Sequence, residues 1–240
     1  MALLELEHVS RRYGRGTHVA EALRDVSLTV EEGELVAVWG RRRSGRSTLV
    51  RVAAGLEPPD SGAVRFEGRD LRDGTETVRQ QIAFCRRSFR ATEGRSVLDQ
   101  LVRGSLARGV PPSLARSGAR EALERVGATK AGSYGPSELD GAEAVRVAIA
   151  RTLTRRPRVL LIDEPTIGVD LAERDEILLL LRSLASEDGI AVLATAGEGP
   201  ALSGADRALS LSEGKLRGTL SAELATVVPL RPAASRSAGA

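Results

Sequence analysis

Apolar positions along the chain fall into two kinds of run. Residues 3–9 (LLELEHV) and 26–30 (VSLTV) alternate apolar and polar side chains, the period of a strand that buries one face. The stretches AVRFEG (63–68) and IAF (82–84) read the same way. By contrast, LVAVW (35–39), RVLLI (158–162) and IAVLA (190–194) are continuous apolar runs bounded by turn or polar residues. Runs of that kind suit parallel strands covered on both faces. Helical spacing follows each of them, over 46–54, over 171–186 and in a last segment near 200–206. The order predicts a βαβ architecture with an antiparallel section at its start. Between residues 96 and 153 the pattern is mainly helical, including SLARSGAREALERVG, which points to an inserted helical subdomain. The end, VVPLRPAASRSAGA, is rich in Pro, Ala and Ser and reads as a disordered tail. No internal repeat is visible.

Composition narrows the classes. A chain of 240 residues holds one large domain with a substantial core. Aromatics are 2% of the chain, which argues against an aromatic-stacking RNA surface. Net charge is +3, and its basic side is almost all arginine, since Lys130 and Lys215 are the only lysines. Part of that excess is explicable as codon usage, so a nucleic-acid role is not required by it. The single cysteine, Cys85, has no internal disulfide partner, fits a reducing compartment and reads as a packing residue. The start, MALLELEHVS, has acidic residues within its apolar stretch and no basic leader, unlike a signal peptide. No apolar run approaches the roughly 20 residues that span a bilayer, so any membrane role would pass through a partner. His8 and His18 lack neighbouring ligands, and a metal site on them is not expected.

The chemistry concentrates in ELVAVWGRRRSGRSTL (34–49). Strand, glycine turn and helix in succession aim backbone N–H groups and the positive helix end at an anion. Gly40 and Gly45 have the spacing of G-x-x-x-x-G-K-[ST], followed by Arg46, Ser47 and Thr48, with Arg41, Arg42, Arg43 and Ser44 between the glycines. A hydroxyl at Ser47 or Thr48 suits Mg²⁺. Downstream, RVLLIDEP sets Asp163 and Glu164 at the mouth of a buried strand, positions suited to hold the metal and to orient an attacking water. The plainer alternatives are a solvated strand end for the two carboxylates and a basic patch for nucleic acid or lipid headgroups at the arginines.

Taken together, LRDVSLTVEEGELVAVWG, RVAAGLEPPDSGAVRFEGRDL, SELDGAEAVRVAIARTL, LIDEPTIGVDL and GADRALSLSEGKL resemble the nucleotide-binding subunit of ABC transporters, from residue 3 to about residue 222. The likeness is strongest to the subfamily of lipoprotein-releasing and macrolide-efflux exporters. It implies an α/β P-loop NTPase fold with an antiparallel β subdomain and an inserted helical subdomain. It places a nucleotide-binding domain over 1–225, the helical part over roughly 88–150, and the tail over 226–240. It also implies ATP and Mg²⁺ as ligands. The partners would be a transmembrane permease and a second nucleotide-binding subunit, the same or different, met head to tail. Nucleic acid is not expected. The location would be cytoplasmic, on the inner face of the cell membrane. Tyr13 falls where the family stacks adenine, and Asp170 matches its D-loop aspartate; an ordinary half-buried strand-end tyrosine stays open for the first.

Several positions depart from the family pattern. Arg46 replaces the loop lysine, keeping the charge but spreading it over a planar fork. Arg87 stands at the Q-loop glutamine, and a guanidinium has no acceptor for a metal. The signature LSGGQ reads LDGAE, with Asp140 at the phosphate-binding serine, Gly141 retained and Glu143 at the glutamine. Ala196 replaces the H-loop histidine. The expectation is ATP binding with slow or undetectable hydrolysis, the alternative being a non-hydrolytic structural or regulatory partner. A further expectation pairs Arg41–Arg43 of one subunit with Asp140 or Glu143 of the other.

Overall fold

The computed structural model describes residues 2–14, 19–75, 78, 80–85, 95–197 and 204–220. Two sheets organise it. The first is antiparallel, in the order β2-β1-β4-β5, from β1 (Ala2–Tyr13), β2 (Ala20–Glu31), β4 (Ser61–Phe66) and β5 (Arg69–Asp70). The second runs β10-β9-β3-β8-β7-β6, from β3 (Leu35–Trp39), β6 (Ile82–Cys85), β7 (Val159–Asp163), β8 (Ala191–Ala196), β9 (Arg207–Ser212) and β10 (Lys215–Leu220). Strands β6, β7, β8, β3 and β9 are parallel, and β10 turns back antiparallel on β9. Helices are α1 (Arg46–Ala53), α2 (Val97–Leu106), α3 (Pro112–Arg125), α4 (Gly141–Leu153) and α5 (Leu171–Ser186).

The continuous apolar runs are explained by burial on both faces of the second sheet. Val36, Val38, Leu161 and Leu193 face a core shared with Leu49 and Val50 of α1 and with the antiparallel sheet. Leu160, Ile162, Val192 and Cys85 face the opposite core, built with α2, α3, α4 and α5. Each β7 residue is therefore buried whichever way it points.

One sequence expectation changes, and one hairpin is new. The IAF stretch, read as alternating with one buried face, belongs to β6 of the parallel sheet, paired with β7. Its pattern there is buried at Ile82, Ala83 and Cys85, and four residues are too few for period two to be decisive. The hairpin of β9 and β10 was not anticipated. Its turn carries Glu213 at φ 50° and Gly214 at φ 77°, the double left-handed geometry of a tight two-residue hairpin. The helix read near 200–206 and the C-terminal tail fall largely or wholly outside the described residues.

Burial pushes the Cys85 thiol up to about 12, with a smaller opposing pull from Arg151. A thiolate is then scarce at any physiological pH. The native protein should leave a disulfide reagent unreacted at pH 8 for hours and consume one equivalent once denatured, followed by thiol absorbance.

Candidate functional site

Helix α1 starts on Gly45, whose φ of 108° and ψ of −1° are open to glycine and strained for other residues. A Cβ there would lie 2.1 Å from the Ala22 carbonyl oxygen, so the turn is also sterically closed to a side chain. No side chain caps this helix and its first turn carries no acid. The first intrahelical bond is donated by Leu49 N–H to the Gly45 carbonyl at 2.8 Å. The amides of Arg46, Ser47 and Thr48 thus point out of the helix end without helical partners, at the positive end of the helix dipole.

The loop residues divide sharply. Arg41, Arg42 and Arg43 are exposed, with Arg43 at φ 68°. Ser44, Arg46 and Thr48 are buried, and Ser47 is half-buried. Arg42 to Thr48, with Tyr13, Ala22 and Glu164, line an open cavity of about 340 Å³. Gly40 starts the loop by donating its N–H to the Ala196 carbonyl at 3.1 Å.

Asp163 and Glu164 end β7 beneath this loop. Ser47 Oγ donates to Asp163 Oδ2 at 2.8 Å, and Thr195 Oγ1 donates to Oδ1 at 2.7 Å. Thr195 Oγ1 in turn accepts the Glu164 N–H at 3.0 Å. Glu164 adopts a φ of 48°, a left-handed backbone that ordinary residues avoid and that clusters at functional sites. Its carboxylate is met by Arg46, with Nη2 2.6 Å from Oε1. That ion pair was not visible in the sequence.

Tyr13 is half-buried at the cavity rim. Its hydroxyl donates to Glu57 and lies 3.4 Å from Thr48 Oγ1. The Arg11 guanidinium carbon sits 5.1 Å from the ring centroid.

Asp140 and Glu143 form the N-terminal capping box of α4. Asp140 accepts the Glu143 N–H at 2.7 Å, and Glu143 accepts the Asp140 N–H at 3.2 Å. Asp140 is exposed and Glu143 half-buried. A carboxylate therefore already satisfies the end of α4, in contrast to the open end of α1. Gly141 packs on the loop after β7, where a Cβ would meet the Gly168 carbonyl oxygen at 2.6 Å. Asp170, exposed, precedes α5. The local field is acidic: desolvation, then the charges of Asp140 and Asp170, hold the Glu173 carboxyl above its ordinary range. Ala196 is buried at the end of β8 against Ala37 and Trp39 and offers no polar side chain. Arg87 and His18 lie outside the described residues. His8 is exposed and pairs with Asp25 at 2.7 Å. Among the described residues there is no cluster of three His, Cys, Asp or Glu suited to a metal, and no helix long and apolar enough to cross a membrane.

The geometry is that of a phosphate loop over a paired-carboxylate strand end, and a sequence model of the ABC transporter family matches residues 23–167. The chain belongs to that family. It is 34% identical over 220 residues to the uncharacterized ABC transporter ATP-binding protein YbbA of Escherichia coli (strain K12), covering 90% of this chain and 96% of the relative. It is 36% identical over 219 residues to the lipoprotein-releasing system ATP-binding protein LolD of Maricaulis maris (strain MCS10), covering 89% and 96%. Among solved structures it resembles the ATP-binding cassette MJ0796 in a dimeric post-hydrolysis state bound to ADP and Pi. There the TM-score is 0.81 at 25% identity, over 91% of this chain and 98% of that one. A second dimeric structure of MJ0796, described as a bacterial ABC transporter cassette, gives 0.80 at the same identity. The ABC cassette fold, with its antiparallel β subdomain and helical subdomain, is the fold of this chain.

Proposed function

We propose that this ABC family member is a peripheral subunit that binds ATP with Mg²⁺ and acts on a separate transmembrane permease from the cytoplasmic face of the cell membrane. The carrying observation is the uncapped N-terminus of α1 on Gly45, directly above the Ser47–Asp163 hydrogen bond. The amides of residues 45–48 would hold the phosphates, and Tyr13 would stack the adenine. Ser47 Oγ and Asp163 Oδ2 are hard oxygen donors already gathered at one point. Two protein oxygens suit Mg²⁺, which ordinarily completes its shell with phosphate oxygens and water. When bound, the ion supplies charge neutralisation at the phosphates. Glu164 would orient the attacking water.

Slow hydrolysis belongs to the same reading. Phosphoryl transfer depends on donors arrayed about the terminal phosphate, and this chain has no donor side chain at Ala196 and a carboxylate at Asp140. Ground-state binding depends instead on amides, helix dipole and positive charge, all retained. Titration calorimetry with ATP, with and without Mg²⁺, tests the site: the expected result is binding that Mg²⁺ strengthens. Turnover of about 1–100 s⁻¹ in the permease-reconstituted complex, lost on Glu164→Gln, would overturn the slow-hydrolysis part. The buried Arg46–Glu164 pair favours a second reading, a non-hydrolytic regulatory partner. Binding indifferent to Mg²⁺ would select it.

The loop face also suits a second nucleotide-binding subunit, the same chain or another, met head to tail. Ile167 and Leu171, 58% and 78% exposed, flank Asp170 on the acidic side, while Arg41–Arg43 are exposed at the phosphate loop. Opposite charges at the two sites would draw a partner's loop onto the α4 end. Asp140→Arg should weaken self-association about 5- to 10-fold at low salt, and adding Arg42→Asp should recover part of it. Asp140→Ser, which keeps a capping side chain, separates this effect from loss of the cap. Sedimentation equilibrium reads the result; unchanged dimerisation in both charge variants would remove the pairing.

A further inference from the structure

Arg46 is the one loop arginine turned inward. Its side chain is 8% exposed and that of Glu164 is 11% exposed, so their 2.6 Å contact is a nearly dry ion pair. Only one end of the fork is used this way. Nη1 is buried and finds no hydrogen-bond acceptor among the described residues. It lies on the side of Gly197, where an added Cβ would stand 3.7 Å from it. Gly197 carries no side chain, and that leaves room beside it for a planar guanidinium. A buried donor without an acceptor costs free energy that an incoming anion would recover.

We propose that Arg46 is an exchange contact that tells nucleoside triphosphate from diphosphate. With no triphosphate present, its guanidinium holds Glu164. The terminal phosphate takes Nη1 first and then competes for Nη2, so Glu164 is released only when that phosphate arrives. Lysine would serve this exchange less well, because its ammonium is a point charge on a flexible stem while the planar fork fixes two nitrogens toward two anions. The carboxylate that orients water is thereby occupied until a triphosphate is in place, and part of the triphosphate's binding energy is consumed in displacing it. This rests on the nucleotide-site reading above.

The test is a double-mutant cycle in affinity, with the non-cleavable triphosphate AMP-PNP and with ADP as probes, by calorimetry with Mg²⁺. Glu164→Gln removes the competing charge and should tighten AMP-PNP about 10- to 100-fold, while ADP changes less than about 2-fold. In the Arg46→Lys background the same Glu164→Gln change should shift AMP-PNP less than about 3-fold. Without nucleotide, Glu164→Gln should also lower Tm, because the buried guanidinium loses its carboxylate, and lower it less in the Arg46→Lys background. Arg46→Gln serves as a second background should the lysine variant fold poorly. An equal gain in both backgrounds, or no gain, overturns the exchange while leaving the nucleotide site standing. No binding of either probe to any variant overturns both.

Discussion

Gly45→Ala should lower nucleotide affinity at least about 100-fold, because the turn that aims the α1 amides cannot keep its shape. Two independent effects act at this residue. Its φ of 108° is strained for any L side chain, at about 1–3 kcal/mol. The new methyl would also stand 2.1 Å from the Ala22 carbonyl oxygen, a backbone atom of β2 that has no rotamer to move. Relief requires the loop to shift, and two or more charge-assisted phosphate contacts go with it, each worth about 1.5–3 kcal/mol. The same strain should lower Tm by roughly 2–12 °C. Fluorescence titration with a labelled nucleotide and scanning calorimetry on one preparation check both parts. A normal Tm with normal affinity would show that the phosphates bind elsewhere.

Ala196→His combined with Arg46→Lys should raise single-turnover hydrolysis about 10²- to 10³-fold over the parent chain. One preorganised donor at a developing charge is worth about that factor. The two substitutions also act at neighbouring positions, since residue 196 adjoins Gly197. Shortening Arg46 vacates the region beside Gly197 that Nη1 now approaches, and the imidazole enters near it from the end of β8. Ala196→His alone should gain less, because Arg46 keeps its hold on Glu164 and the ring must be accommodated against the Ala37–Trp39 packing. Quench-flow measurement of released phosphate at saturating ATP reads the rate. An unchanged rate in a double variant that binds nucleotide normally would remove these two positions from the slow-hydrolysis proposal.

The fold was legible where burial imposes a pattern that local sequence can carry. Strands β3, β7 and β8 announce themselves as unbroken apolar runs because both of their faces are covered. The glycine spacing and the two carboxylates of Asp163 and Glu164 were visible for a similar reason, since each lies within a few residues of a strand end. Strand β6 was read as alternating with one buried face because four residues contain no useful period, and it is buried at three of its four positions. The β9–β10 hairpin was missed because its turn pairs Gly214 with Glu213, where the usual signal is Asn-Gly or Asp-Gly. Asp140 and Glu143 were read as altered phosphate contacts and as partners for Arg41–Arg43 of a second subunit. Their spacing of three residues also makes a capping box, and that local role is what the structure shows. The Arg46–Glu164 pair had no sequence signature at all. It joins a helix start to a strand end far away in the chain, and only the parallel order of β3, β8 and β7 brings them together.

The central claim is that the arginine-laden loop after Trp39 still cradles a triphosphate. A crystal grown with AMP-PNP and Mg²⁺ tests it most directly. The account predicts phosphate oxygens within hydrogen-bond distance of the backbone amides of residues 45–48, with the Arg46 fork turned from Glu164 toward the terminal phosphate. A loop without nucleotide at saturating ligand, with Arg46 still on Glu164, would contradict it.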